Sequence, residues 1–277
     1  MRIHINHASS YVYDPPATSA IQILRLTPRS FGGQTVRKWR IDLSHDGVLR
    51  QRVDAFGNIV HTLSLNGPIS EVTVTAEGEV DTQDTHGVIS DSLEPFPTGL
   101  YLRETSLTEV DSELAAFAAD SVGDFASDVL AGLHRLMSAV HGEIAFDTEP
   151  THAATTAIEA FKIRSGVCQD LTHIFIGCAR SVGIPARYAG GYLWKVDGEH
   201  RQHQEAGHAW AEAYVPDLGW VGFDPANGIC PADGHVRVAI GLDYLGAAPI
   251  RGSRTGGPNE KLDVAVAVTQ AAGSRQE

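Results

Sequence analysis

Up to about residue 95 the apolar positions fall at every second residue, as in Ile21-Gln22-Ile23-Leu24-Arg25-Leu26, Trp39-Arg40-Ile41-Asp42-Leu43 and Val72-Thr73-Val74-Thr75-Ala76. A period of two turns one face of each segment toward a core. It therefore predicts antiparallel strands joined by turns such as Asp54-Ala55-Phe56-Gly57-Asn58 and Leu65-Asn66-Gly67-Pro68. The economical arrangement is an N-terminal β-sandwich over 1–95. Pro95 and Pro97 interrupt regular structure between Asp91 and Gly99, which marks the expected domain boundary.

The spacing then becomes helical. Leu114, Phe117 and Ala118 follow Thr108-Glu109-Val110-Asp111, and Asp124 opens a second run through Val129, Leu133, Leu136, Met137 and Val140. A short third helix is expected at 156–161. Alternation returns at 189–194, 208–215 and 220–223. The stretch Gly252-Ser253-Arg254-Thr255-Gly256-Gly257-Pro258 reads as a flexible loop, followed by a late strand at 262–268 that docks back onto a sheet. The predicted fold class is α+β, a β-sandwich followed by a core over 100–277 in which helices pack on an antiparallel sheet.

Composition narrows the function. Hydrophobic residues make up 43% and charged residues 20% of the 277, enough apolar surface for one large or two modest cores without a stabilising metal. Lys and Arg total 21 against 34 Asp and Glu, a net charge of −13 that argues against a nucleic-acid partner. Three cysteines are too few for a disulfide framework, the start Met1-Arg2-Ile3-His4-Ile5-Asn6-His7 lacks a signal-type apolar run, and no segment approaches the roughly 20 apolar residues of a membrane span. A cytoplasmic protein with no membrane partner is expected.

The most informative segment is Arg164-Ser165-Gly166-Val167-Cys168-Gln169-Asp170. After it, Leu171, Ile174, Phe175, Cys178, Ala179 and Val182 form one apolar helical stripe that ends at Gly183 and Pro185. Cys168 thus falls in the first helical turn, where amide N–H groups and the helix dipole favour an anion, the thiolate that acyl chemistry needs. A cysteine is more often a small buried hydrophobe. Cys178 fits that description, and Cys230, in Gly228-Ile229-Cys230-Pro231, has no partner pattern; Cys168 precedes the stripe among polar neighbours.

A thiol nucleophile needs a base. His208 opens the strand His208-Ala209-Trp210-Ala211-Glu212-Ala213-Tyr214-Val215, and Asp224 ends the next one, before Pro225. If Val215 pairs with Trp220, Asp224 falls opposite Ala211, about 10 Å along the strand from His208, so simple register leaves the two apart. His173 lies about 140° around the helix from Cys168 and reads as structural, and Asp170 as a helix cap. His200, His203 and His208 with Glu199 and Glu205 match no zinc spacing, so no metal is assigned. No glycine-rich phosphate loop follows any strand.

These residues, with Gly183-Ile184-Pro185-Ala186-Arg187-Tyr188, Gly207-His208-Ala209-Trp210-Ala211-Glu212 and Gly219-Trp220-Val221-Gly222-Phe223-Asp224-Pro225, resemble successive blocks of the bacterial transglutaminase-like cysteine proteases. Leu26-Thr27-Pro28-Arg29 and Asp54-Ala55-Phe56-Gly57-Asn58 resemble the β-rich domain that precedes this core. The resemblance implies a papain-like transglutaminase core, with Cys168 as nucleophile, His208 as general base and then acid, and Asp224 orienting His208. It also implies that the hairpin brings Asp224 to His208. The expected activity is thiol-dependent acyl transfer from a peptide or side-chain amide, with no cofactor and a peptide or protein substrate. Hydrolysis is favoured over amine transfer, because water is abundant and no segment marks an amine site; the other class of reading is a binding module without turnover.

Overall fold

Four strands arise from the alternating region: β1 (Arg2–Thr27), β2 (Gln34–Leu43), β3 (Val48–Val53) and β4 (Ile59–Thr82). In this computed structural model, which describes residues 1–124, 128–195 and 207–271, alternate residues of β1 from Ile3 to Tyr13 are buried. That is the period the sequence predicts. Then come β5 (Val88–Ile89), a 3-10 turn at Thr98–Leu102 and α1 (Ser112–Val122), which starts where the Asp111 carboxylate accepts from Leu114 N at 3.0 Å. The second helix, α2 (Val129–Glu143), begins later than Asp124 suggested, because Asp128 caps it through Ala131 N at 2.9 Å.

The rest of the chain forms β6 (Ala145–Phe146), α3 (Ala157–Ile163), β7 (Ser165–Gly166) and α4 (Cys168–Ser181), and then β8 (Ala186–Leu193), β9 (His208–Val215), β10 (Gly219–Phe223) and β11 (His235–Gly241). It closes with the single turn α5 (Tyr244–Ala247), β12 (Ile250–Gly256) and β13 (Asn259–Gln270). Thr156 and Glu159 cap α3 reciprocally. Gly183, at φ 84°, is the left-handed residue past α4 that the sequence predicts as its stop. The segment expected to be a loop at 252–258 is mostly strand. Gly252 pairs with Gln22, and a side chain there would collide with the Ile21 carbonyl, so the glycine permits close backbone approach.

Two sheets result. The six-stranded antiparallel sheet has β1 and β4 at its centre; β13 and β12 pair in turn along β1, and β2 and β3 along β4. Inward side chains from both halves, including Tyr11, Leu24, Leu63 and Val72, share one apolar core, so the long sheet closes over itself as the expected β-sandwich. The five-stranded antiparallel sheet runs β11-β8-β9-β10-β5. Both sheets draw strands from both sides of 91–99.

On one face of the second sheet the small residues Ala209, Ala211 and Ala213 of β9 meet Leu171, Ile174, Phe175 and Cys178 of α4, and α1, α2 and α3 complete that core. The β-sandwich packs on the same sheet through Ile3, Ile5, Val80 and Val266 against Tyr192, Val236 and Val238. It also covers the edge strand β11. The Gln34 side chain bonds both backbone groups of Arg237, and the Asn58 side chain both backbone groups of Ile240, which replaces a missing neighbour strand. Among the described residues no helix is long and apolar enough to cross a membrane.

Candidate active site

The N-terminus of α4 is fixed before Cys168 is reached. β6 and β7 pair in parallel and deliver the chain to Val167, whose amide donates to Asp170 Oδ2 at 2.9 Å; Thr151 Oγ1 donates to the same oxygen at 2.7 Å. Gly166 is required here, since a Cβ would lie 2.7 Å from Asp170 Cβ. Burial pushes the Asp170 pKa up against those hydrogen bonds, and its Oδ1 has no partner. Asp170 therefore caps the helix, as its position predicts. Cys168 follows as the first helical residue and is partly exposed. The neighbouring Gln169 directs its amide to Ala153 O at 3.2 Å.

His208 and Asp224 meet. His208 Nε2 lies 2.7 Å from Asp224 Oδ2, and Asp224 is fully buried. The expected Val215–Trp220 pairing is off by one: Val215 pairs with Gly219, and Phe223 with Ala211. Continuing that register sets Asp224 across from Trp210, on the same face of the sheet as His208. A shift of one residue moves a side chain to the other face, so this correction is what unites the pair.

Two residues that sequence reasoning missed complete the surroundings of Asp224. His235 Nε2 donates to Asp224 Oδ2 at 3.1 Å while its Nδ1 accepts from Ala232 N, and Asn227 Nδ2 donates to the same Oδ2 at 2.6 Å. Lys195 in turn donates to Asn227 Oδ1. The spacing Asp224-Pro225-Ala226-Asn227 was a legible turn signal, since Asn227 N donates to Asp224 Oδ1 at 3.2 Å. His235 had no local signal, because only the pairing of β11 with β8 carries it there.

The electrostatics follow from this geometry. Burial would raise the Asp224 pKa, but hydrogen bonds from His208 and His235 hold it well below the usual carboxylate range. Burial would lower the His208 pKa; the hydrogen bond to Asp224, with Cys168 as a second favourable neighbour, outweighs it and lifts it to about 10. His208 is thus joined to Asp224 by a direct short contact and to Cys168 as an electrostatic neighbour in one cleft. The ligand atoms of His208, Asp224 and His235 all lie within 4.8 Å of one another. A tetrahedral zinc with bonds of about 2.0–2.1 Å spaces its ligand atoms about 3.3 Å apart, and the 2.7 Å His208–Asp224 contact is a hydrogen bond instead.

The cleft has a volume of about 280 Å³, near the lower end of ligand-binding clefts. Cys168, Gln169, His208, Tyr188 and Tyr244 line its core side, and His7, Ser9, Tyr11, Leu262 and Val264 come from the β-sandwich. His7 and Ser9 were visible in the sequence as polar residues at inward positions of β1. His7 Nδ1 lies 2.9 Å from the Tyr192 hydroxyl, and its Nε2 lies 3.0 Å from Ser9 Oγ.

The remaining candidates sit elsewhere. His173 is fully buried, and its Nε2 accepts from Tyr244 N at 3.1 Å. Cys178 is buried in the α4 core, where burial pushes its thiol up, and Cys230 is shifted the same way. The cluster of Glu199, His200, His203 and Glu205 lies outside the described residues.

Comparison with known proteins agrees with this architecture. Residues 3–81 match the bacterial transglutaminase-like N-terminal region, and residues 116–225 match the transglutaminase-like superfamily. An uncharacterized protein of Mycobacterium leprae is 30% identical over 294 residues, covering 98% of this chain and 99% of that one. A protein-glutamine gamma-glutamyltransferase of Pseudomonas aeruginosa is 30% identical over 124 residues, 40% of this chain and 18% of that one. The crystal structure of a proposed cysteine protease from Cytophaga hutchinsonii shares the fold with a TM-score of 0.78 at 19% identity, covering 100% of this chain and 92% of that one. The Cytophaga hutchinsonii structure thus shares the whole fold, and with the two family models and the full-length Mycobacterium leprae match the chain belongs to the transglutaminase-like superfamily, in the bacterial group that carries this N-terminal region.

Proposed function

We propose that the protein is a thiol-dependent acyl-transfer enzyme that hydrolyses amides through Cys168, His208 and Asp224. The observation that carries this reading is the 2.7 Å contact from His208 Nε2 to the buried Asp224, with His208 and Cys168 lining the same cleft. Because Nε2–H donates to Asp224, Nδ1 is the ring nitrogen that exchanges protons with the reaction. The Cys168 thiolate attacks the amide carbonyl carbon, the C–N bond breaks as His208 protonates the leaving amine, and a thioester remains. Water, deprotonated by His208, then attacks the thioester, releasing the acid and restoring the thiol. The Cys168 N–H at the start of α4 supplies one donor to the developing oxyanion.

The partial exposure of Cys168 supports water as the acceptor. The name of the Pseudomonas aeruginosa relative keeps glutamine amide transfer as the second reading. A cytoplasmic setting fits three cysteines that all remain free thiols. The test is alkylation by iodoacetamide at neutral pH, read by mass spectrometry. Cys168 is expected to react faster than free cysteine, and His208→Ala to remove that advantage. Equal rates in both proteins would leave a binding module as the answer. Incubation with a labelled glutamine peptide and a primary amine separates the two enzymatic readings, with acid expected to exceed amine adduct.

A further inference from the structure

Both domains build the cleft around Cys168. Tyr188 and Tyr244 face it from the core. Opposite them, alternate residues of β1 and β13 form a wall in which Tyr11 pairs with Leu262 and Ser9 with Val264. Among the described lining residues there is no Asp, Glu, Lys or Arg, in a chain with 34 acidic and 21 basic residues. His7, the second imidazole there, is held neutral by burial, with its pKa lowered to about 4. Burial also shifts the Tyr11, Tyr188 and Tyr244 hydroxyls away from ionisation. Leu262 is 48% exposed, an apolar side chain left in water at the side of this wall.

Resting on the reading of Cys168 as nucleophile, we propose that the substrate residue beside the reactive amide carries an uncharged apolar side chain, aliphatic or aromatic, and that the β1–β13 wall with Leu262 selects it. A charged side chain entering this cleft would lose hydration and find no ion-pair partner in the wall, whereas an apolar one would cover Leu262 and Val264. The β-sandwich is then part of the specificity of the enzyme as well as of its fold.

The test uses the full chain and N-acetyl-aminoacyl chloromethyl ketones with Leu, Phe, Asp or Lys side chains, from which the Cys168 sulfur displaces chloride. Each inactivation rate is divided by the rate of the same probe with glutathione and by the rate of the same protein with iodoacetamide. The Leu and Phe probes are expected to react at least about tenfold faster than the Asp and Lys probes. Leu262→Glu should narrow the Leu-over-Lys ratio about threefold or more, and Leu262→Lys the Leu-over-Asp ratio. Equal rates for all four probes, a preference for charge, or ratios unmoved by both variants would overturn the proposal. If iodoacetamide labels Cys168 no faster than Cys230, the nucleophile reading itself fails, and the proposal goes with it by a separate measurement.

Discussion

His208 is caught between opposing effects, since burial disfavours its charge while Asp224 and the Cys168 thiol favour it, and the latter win. Its imidazole should therefore titrate near 10 in the folded protein, followed by the ring proton resonances in NMR. Asp224→Asn removes the main charge that lifts it. In that variant the midpoint should move down by a unit or more, on the scale of about 1.4 kcal/mol per unit, and iodoacetamide alkylation of Cys168 should slow by about a hundredfold. An unchanged midpoint would mean that Asp224 does not hold the charged imidazole. The residue types at these positions were legible in the sequence. Their meeting was implied by the family resemblance but hidden from the spacing: Gly219 adopts a left-handed φ of 82° and still pairs with Val215, so a count that starts the strand at Trp220 is one residue out.

The strands of the core sheet are tied by a buried ion-pair network. Arg187 of β8, with no side-chain exposure, donates to Glu212 of β9 at 2.7 Å and to Glu94 from the segment after β5, and Arg237 of β11 reaches Glu212 at 3.1 Å. The Arg187 guanidinium also lies 3.9 Å from the centre of the Trp220 ring. Two cations on one carboxylate keep Glu212 charged despite its burial. Arg187→Met should cost about 3–5 kcal/mol in urea unfolding, because it leaves Glu94 and Glu212 short of a partner, and adding Glu212→Gln should recover part of that loss. A single variant as stable as the parent would show that the network contributes nothing. Helix α4 and the alternating faces of β9 were legible, because spacing alone encodes an apolar stripe. The network was not, because Glu94, Arg187, Glu212 and Arg237 become neighbours only when β8, β9 and β11 assemble.

At the scale of the molecule, buried imidazoles oppose one another across pH. Burial depresses His7 to about 4 and His173 to about 3, so their neutral forms give stability that is present above the unfolded value near 6.5 and is lost as pH falls toward those values. His208 is raised, so its contribution is complete below 6.5 and is lost as pH climbs toward 10. The free energy of unfolding should therefore peak near pH 6.5 and decline on both sides, measured by denaturant titration from pH 4.5 to 9.5. His208→Gln should flatten the alkaline limb and leave the acid limb. The order of a β-rich N-terminal region followed by helices was legible in the sequence, because the hydrophobic period changes between them. The return of β12 and β13 to the first sheet depends on long-range pairing, which no window of sequence contains.

That return has a consequence for biosynthesis. The wall of the cleft pairs residues 9 and 11 with residues 264 and 262, so translation delivers one half of it roughly 250 residues before the other. A nascent chain that already contains Cys168 and His208 still lacks the β13 half of the wall that lines their cleft. The cleft is therefore completed only when β13 returns to β1, and a chain cut short before residue 262 keeps the core side of the site without its opposite wall.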